Sequence, residues 1–163
     1  MKNPLVSMKL RAADIDSTLS MVASPVGGSF GRGVRSSGQR SHQGWDLLAP
    51  IGTPVFAVAP GSVVGVRNQG DYGLQVLIQF SSSKFPRQDL YAFYAHLSRA
   101  DVKFGDEVFE GMTIGATGQT GNAGGTTPHL HFEIRTQAWP GTGLGGRIDP
   151  GEILGYQYYS CTP

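Results

Sequence analysis

The chain has 163 residues, enough for one domain with a real core and no covalent staples. Charged residues make up 15% and the formal net charge is +1, so there is no electrostatic case for nucleic acid or an anionic membrane surface. Twenty-four glycines and ten prolines are too many for a helix bundle, no run of about 18 apolar residues could span a membrane, and the lone cysteine, Cys161, forms no internal disulfide.

Residues 1–24 read as a polar leader, weakly helical around Leu10 to Met21, with Asp14 and Asp16 interrupting any signal-peptide-like apolar stretch. From Pro25 to the end the chain reads as one domain. It begins with a Gly/Ser/Arg-rich loop leading to Trp45-Asp46-Leu47-Leu48. PVFAVAPGSVVGV predicts two short strands and a hairpin around Ala59-Pro60-Gly61-Ser62. GLQVLIQF places Leu74, Val76, Ile78 and Phe80 on one face of a strand. LYAFYAHL follows, with Tyr91, Phe93 and Ala95 opposite Ala92, Tyr94 and His96. Turns at Gly105-Asp106 and Gly111 break up the next stretch, and the glycine-dense GQTGNAGGTTP delivers the chain into HLHFEIR. A second flexible loop, AWPGTGLGGR, precedes IDPGEILGY. The prediction is an all-β, compact antiparallel sheet domain with long loops, its histidines at strand ends or loop exits.

In HLHFEIR, strand alternation sends Leu130, Phe132 and Ile134 into a core and turns His129, His131, Glu133 and Arg135 the other way. The plain reading is a half-buried strand with a polar outer face. Two imidazoles two residues apart weaken it, because they repel once protonated and are natural metal ligands. His42 and Asp46 in HQGWD stand four apart, on one side of a strand or a helical turn. A histidine, a carboxylate and a distant imidazole match the inventory of a catalytic zinc site, which uses three nitrogen or oxygen ligands and leaves a position for water. A closed structural site would need a cysteine, and Cys161 is poorly placed for one.

HQGWD, YAHLS and TTPHLHFEI resemble the His-x-x-x-Asp, His-Leu-Ser and His-x-His motifs of LytM/lysostaphin-type zinc metalloendopeptidases, which cut peptidoglycan cross-bridges. The similarity runs from about Pro25 to Leu154 with the motifs in order. It implies a compact antiparallel fold whose loops wall a narrow groove. It also implies one zinc ion held by His42, Asp46 and His131, with His96 and His129 beside it as catalytic histidines. Among further candidates, Tyr94 would donate to the oxyanion or simply pack. Arg32, Arg35 and Arg40 would contact a substrate carboxylate or remain solvated. Trp139 would wall the groove or cap the sheet, Glu133 would orient a ligand or lie exposed, and Asp149 would make a turn. The resemblance implies peptidoglycan stem or cross-bridge peptides as partners, action in the bacterial cell envelope, and a monomer. D,D cross-links are the expected substrate. The alternative is a non-catalytic module that binds wall or activates an amidase. Delivery as a phage lysin, an excised domain or a toxin stays open, and a toxin would require an immunity protein that occludes the groove. A general protein-digesting metalloprotease would lack its His-Glu-x-x-His helix.

Overall fold

The computed structural model describes residues 1–11, 28–35 (backbone alone for 32–35) and 40–155. Short β-rich runs separated by glycine and proline turns form eleven strands, with one 3-10 turn (Gly121–Ala123) and one short α-helix, among the described residues. β1 (Gly31–Arg35) and β2 (Arg40–His42) make a two-stranded ribbon. A nine-stranded antiparallel sheet contains β3 (Trp45–Leu48), β4 (Pro54–Phe56), β5 (Gly61–Gln69), β6 (Gly73–Phe80), β7 (Leu90–Ala100), β8 (Glu107–Val108), β9 (Thr113–Thr117), β10 (His129–Arg135) and β11 (Arg147–Ile148). Its main path runs β11-β10-β7-β6-β5-β8, with β3 on β10, and β9 bridging β7 and β4. Helix α1 (Pro150–Leu154) follows, capped by Asp149, whose carboxylate accepts from the Gly151 amide at 2.9 Å. No helix among the described residues is long and apolar enough to cross a membrane.

The main core lies on one face of this sheet. Val76, Ile78 and Phe80 of β6 join Leu130, Phe132 and Ile134 of β10 there, as their period-2 alternation requires, together with Trp45 and Leu47 of β3. A smaller cluster of Leu77, Phe93 and Ala95 lies on the other face.

Three sequence expectations change. Residues 1–11 are not a detached leader, since Leu5 and Leu10 are buried in the main core. Backbone bonds tie them down: Lys2 N–H to the Val58 carbonyl (3.0 Å), Phe56 N–H to Pro4 (2.9 Å) and Leu48 N–H to Lys9 (2.7 Å). Leu10 forms an antiparallel bridge with Leu47, where a weak helix was expected. The remainder of that stretch, residues 12–24, lies outside the described residues. The Ala59–Ser62 hairpin also does not form, because β4 pairs with β9 while β5 pairs with β6 and β8. Tight hairpins need positive φ at a central residue, and this turn has none.

The third change concerns β7. Its register against β6 jumps from Val76↔Tyr94 to Leu74↔Leu97, so Ala95 and His96 together oppose Gln75. His96 is the one non-glycine residue with positive φ (60°) among those described. This β-bulge breaks the alternation and re-aims the side chain. Tyr94 and Leu97 point into the main core, whereas Ala95 packs in the cluster on the other face and His96 lines the cavity described next.

Candidate metal centre and active site

A cavity of about 710 Å³ opens on the face of the sheet opposite the main core, and all four histidines line it. β2 and β3 deliver His42 and Asp46, β10 delivers His129 and His131, and the β7 bulge delivers His96. Pairing of β3 with β10 places Asp46 directly opposite His131, and β7 sets Ala95 on the other side of that histidine. Three long-range segments thus meet at His131 through backbone register alone.

His42 Nε2, Asp46 Oδ1 and His131 Nδ1 converge. The separations are 3.1 Å between His42 and Asp46, 2.8 Å between His131 and Asp46, and 3.2 Å between the two imidazoles. A tetrahedral zinc ion with bonds of about 2.0–2.2 Å separates its ligands by about 3.3–3.5 Å, so the triangle is a few tenths of an ångström tight for the ion. The donor chemistry also fits. His42 Nδ1 donates to the Ser29 carbonyl at 2.8 Å, which fixes the tautomer that leaves Nε2 bare towards Asp46. All three side chains are buried, and among the described residues this is the one group of three His, Cys, Asp or Glu placed to hold a metal ion.

Both ring nitrogens of His131 face carboxylates. Burial disfavours the imidazolium, but hydrogen bonds to Asp46 and to Glu133 (2.8 Å from Nε2) outweigh it and raise the His131 pKa. Burial likewise acts to raise the Asp46 pKa. In metal-free protein, His42 in its doubly protonated form, through its charge, and then hydrogen bonds from His131 and from that protonated His42 hold that carboxyl well below its usual range.

His96 and His129 stand beside the triangle, their rings 5.0 Å apart. Each donates Nδ1–H to a loop carbonyl at 2.8 Å, His96 to Thr120 and His129 to Thr127, so both present an unprotonated Nε2. His129 Nε2 is 3.8 Å from Asp46 Oδ1. Burial, then the neighbouring imidazoles, push the His96 pKa down to about 4, while burial lowers that of His129.

Glu133 is fully buried and sits behind His131. Its carboxylate accepts from Arg135 Nε (2.6 Å), Arg147 Nε (2.7 Å), His131 Nε2 and the Tyr72 hydroxyl (2.8 Å). The Tyr72 hydroxyl lies against two acceptors, Glu133 and the Gln43 amide oxygen, and has a single proton to offer them. Arg147 Nη1 also binds the carbonyls of Gly141 (2.8 Å) and Gly143 (3.0 Å), which pins the loop carrying the wall residues Pro140, Gly141 and Thr142.

The remaining candidates are dispersed. Tyr94 is in the main core with its hydroxyl accepting from the Val58 amide at 3.0 Å, because the bulge reverses the phase between it and His96. Trp139 stacks on the Arg67 guanidinium (3.4 Å) over Gly65, outside the cavity, since the glycine leaves room for the indole there. Arg35 ends β1 and its side chain lies outside the described residues, as does that of Arg32, while Arg40 lines the cavity. Glu133 is not exposed. Sequence reasoning missed Tyr72, Gln43, Arg147 and the carbonyls of Ser29, Thr120 and Thr127. Alternation in HLHFEIR marked Arg135 as sharing Glu133's face, but backbone carbonyls carry no residue-type signal.

Comparisons with known proteins give the family. Residues 40–156 match the model of the family described as Peptidase family M23. The peptidoglycan DD-endopeptidase ShyA of Vibrio cholerae is 38% identical over 107 residues, covering 66% of this chain and 23% of that protein. The glycyl-glycine endopeptidase ALE-1 of Staphylococcus capitis is 38% identical over 101 residues, covering 61% of this chain and 26% of its own length. The chain therefore spans about a quarter of the curated relatives it matches. The solved catalytic domain of the antimicrobial peptidase lysostaphin from Staphylococcus simulans superposes with a TM-score of 0.57 at 31% identity, covering 79% of this chain and 88% of that one. With the family matched over more than half its length, and the family's motif residues gathered in one cavity, the chain belongs to peptidase family M23, of the LytM/lysostaphin type.

Proposed function

We propose that the chain is a zinc-dependent endopeptidase acting in the bacterial cell envelope, where it hydrolyses peptide cross-links of peptidoglycan, D,D cross-links above all. The observation that carries this reading is the convergence of His42 Nε2, Asp46 Oδ1 and His131 Nδ1 with two bare imidazole nitrogens beside them. His42, Asp46 and His131 would hold the ion. When bound, zinc supplies a Lewis acid for the scissile carbonyl and lowers the pKa of a water to about 7.

The rest falls to the protein. His129 Nε2 takes the proton of the attacking water, because Asp46 stabilises the imidazolium that forms. The Thr127 carbonyl holds the ring in the required tautomer throughout, and His129 then returns the proton to the departing amine. His96, the more strongly depressed base, stays neutral and orients the water through its own Nε2. Glu133 fixes His131 from behind. A wall-binding module without catalysis has no need of two unprotonated imidazoles aimed into the cavity.

Purified protein is expected to carry about one zinc per chain, and Asp46→Ala to lose it. His129→Ala is expected to keep the metal while amine release from purified cell wall falls by at least about 100-fold. Full zinc and full hydrolysis in Asp46→Ala would overturn the ligand assignment.

A further inference from the structure

The first eleven residues supply a side chain to the cavity that the reaction described above does not use. Arg11 is held by two backbone bonds, its N–H donating to the Asp46 carbonyl at 2.9 Å and its own carbonyl accepting from Gly28 at 2.8 Å. Its guanidinium lines the cavity, with Nη1 4.0 Å from Asp46 Oδ2. That separation is beyond hydrogen-bonding distance, so Arg11 acts on Asp46 through charge. A cation in this position opposes the binding of a metal ion. Among the described residues lining the cavity Arg147 is neutralised by Glu133, so Arg11 and Arg40 stand against Asp46 and Asp71, and a divalent ion held by His42, Asp46 and His131 would leave the whole net positive. Such an arrangement is relieved when the substrate brings an anion.

We propose that Arg11 binds a carboxylate adjacent to the scissile amide, and so selects cross-links in which the released amine stands on a carbon bearing a carboxylate. This rests on the endopeptidase reading and narrows its substrate class. In a D-alanyl–diaminopimelate cross-link the nitrogen freed by hydrolysis sits on such a carbon. Within a glycine bridge the corresponding carbon carries only an amide carbonyl. A guanidinium matches a carboxylate in shape and charge, and loses that match when the carboxylate becomes a carboxamide. Arg11 is thereby a specificity residue contributed by residues that precede the matched family segment, 40–156.

The test uses the zinc-loaded protein and two synthetic substrates. In both, D-alanine is joined to the side-chain amine of meso-diaminopimelate, with the neighbouring carboxylate free in one and converted to a carboxamide in the other. Wild type is expected to favour the free acid by roughly 10- to 100-fold in kcat/KM. Arg11→Met is expected to slow only on the acid, erasing the preference, while Arg11→Lys retains part of it. Calorimetric binding of the two product amines to metal-free protein is expected to follow the same order. Equal cleavage of acid and carboxamide by wild type overturns the proposal and leaves the endopeptidase reading intact. So does an Arg11→Met protein that slows on both alike, since a role confined to Asp46 would act on both. Should Arg11→Met fail to fold, the wild-type and Arg11→Lys comparisons decide. Cleavage of glycine bridges but of neither diaminopimelate substrate overturns the proposal alone, and release of amines from nothing overturns both.

Discussion

Glu133 gathers four polar partners around one buried carboxylate. Its buried carboxylate is shared by His131, Tyr72 and two arginines, and these partners hold its pKa far below the usual carboxylate range although burial opposes them. Glu133→Gln keeps the shape and one acceptor for His131 but leaves Arg135 and Arg147 without their counter-ion. The expected cost is about 3–5 kcal/mol in a denaturant unfolding experiment. Zinc affinity is expected to fall by about 10- to 100-fold, because the imidazole loses its charged partner. An unchanged unfolding midpoint would show that water reaches these arginines. The role of Glu133 was half legible: alternation in HLHFEIR put it on the face of the histidine pair, whereas its burial depends on Arg147, which closes over it from a strand 14 residues away.

At the scale of elements, the cavity is assembled from loops that glycine allows to touch. Gly73 and Gly121 both have positive φ (63° and 69°), and each backbone occupies the space a Cβ on the other loop would need. A Cβ on Gly121 would lie 2.2 Å from the Asp71 carbonyl oxygen. This contact seats Thr120, whose carbonyl holds His96 and whose hydroxyl donates to Leu97. Gly125 shares the positive φ (79°) but faces open space, so it is a built-in control. Gly125→Ala is expected to cost only the left-handed backbone penalty, about 1–2 kcal/mol. Gly121→Ala should cost visibly more and lower hydrolysis about tenfold by displacing His96. Equal unfolding midpoints for the two variants would contradict the loop packing. Strand β10 was readable in advance because it runs without a bulge, and its three apolar residues enter the core on schedule. Strand β7 was not, because the backbone of His96 shifts the phase and no residue-type pattern announces a bulge. Leu5 and Leu10 were missed for a related reason. They bury as isolated anchors of an irregular segment, with no periodicity to detect.

The whole molecule couples proton binding to folding through the same side chains. In metal-free protein, His131 has a raised pKa, so its contribution is fully present below the unfolded value of about 6.5 and is lost as pH rises through the folded pKa. His96 behaves oppositely. It stays neutral down to about 4, while the unfolded chain takes up its proton at about 6.5, so stability falls as pH drops through that window. Thermal midpoints measured in chelator between pH 7 and pH 4 should therefore decline less steeply for His96→Gln than for wild type. Parallel curves would show that His96 is solvated and titrates normally. Zinc should remove the alkaline decline, because an ion at His131 Nδ1 replaces its proton.

The central claim, a zinc endopeptidase built on His42, Asp46 and His131, is tested most directly on the wall itself. Purified diaminopimelate-type peptidoglycan is incubated with zinc-loaded protein, digested with a muramidase, and its fragments are weighed by mass spectrometry. The account predicts that cross-linked dimers disappear and monomers carrying a free side-chain amine accumulate, and that Asp46→Ala leaves the dimers intact. Dimers that survive the zinc-loaded wild type, or vanish equally with Asp46→Ala, would contradict it.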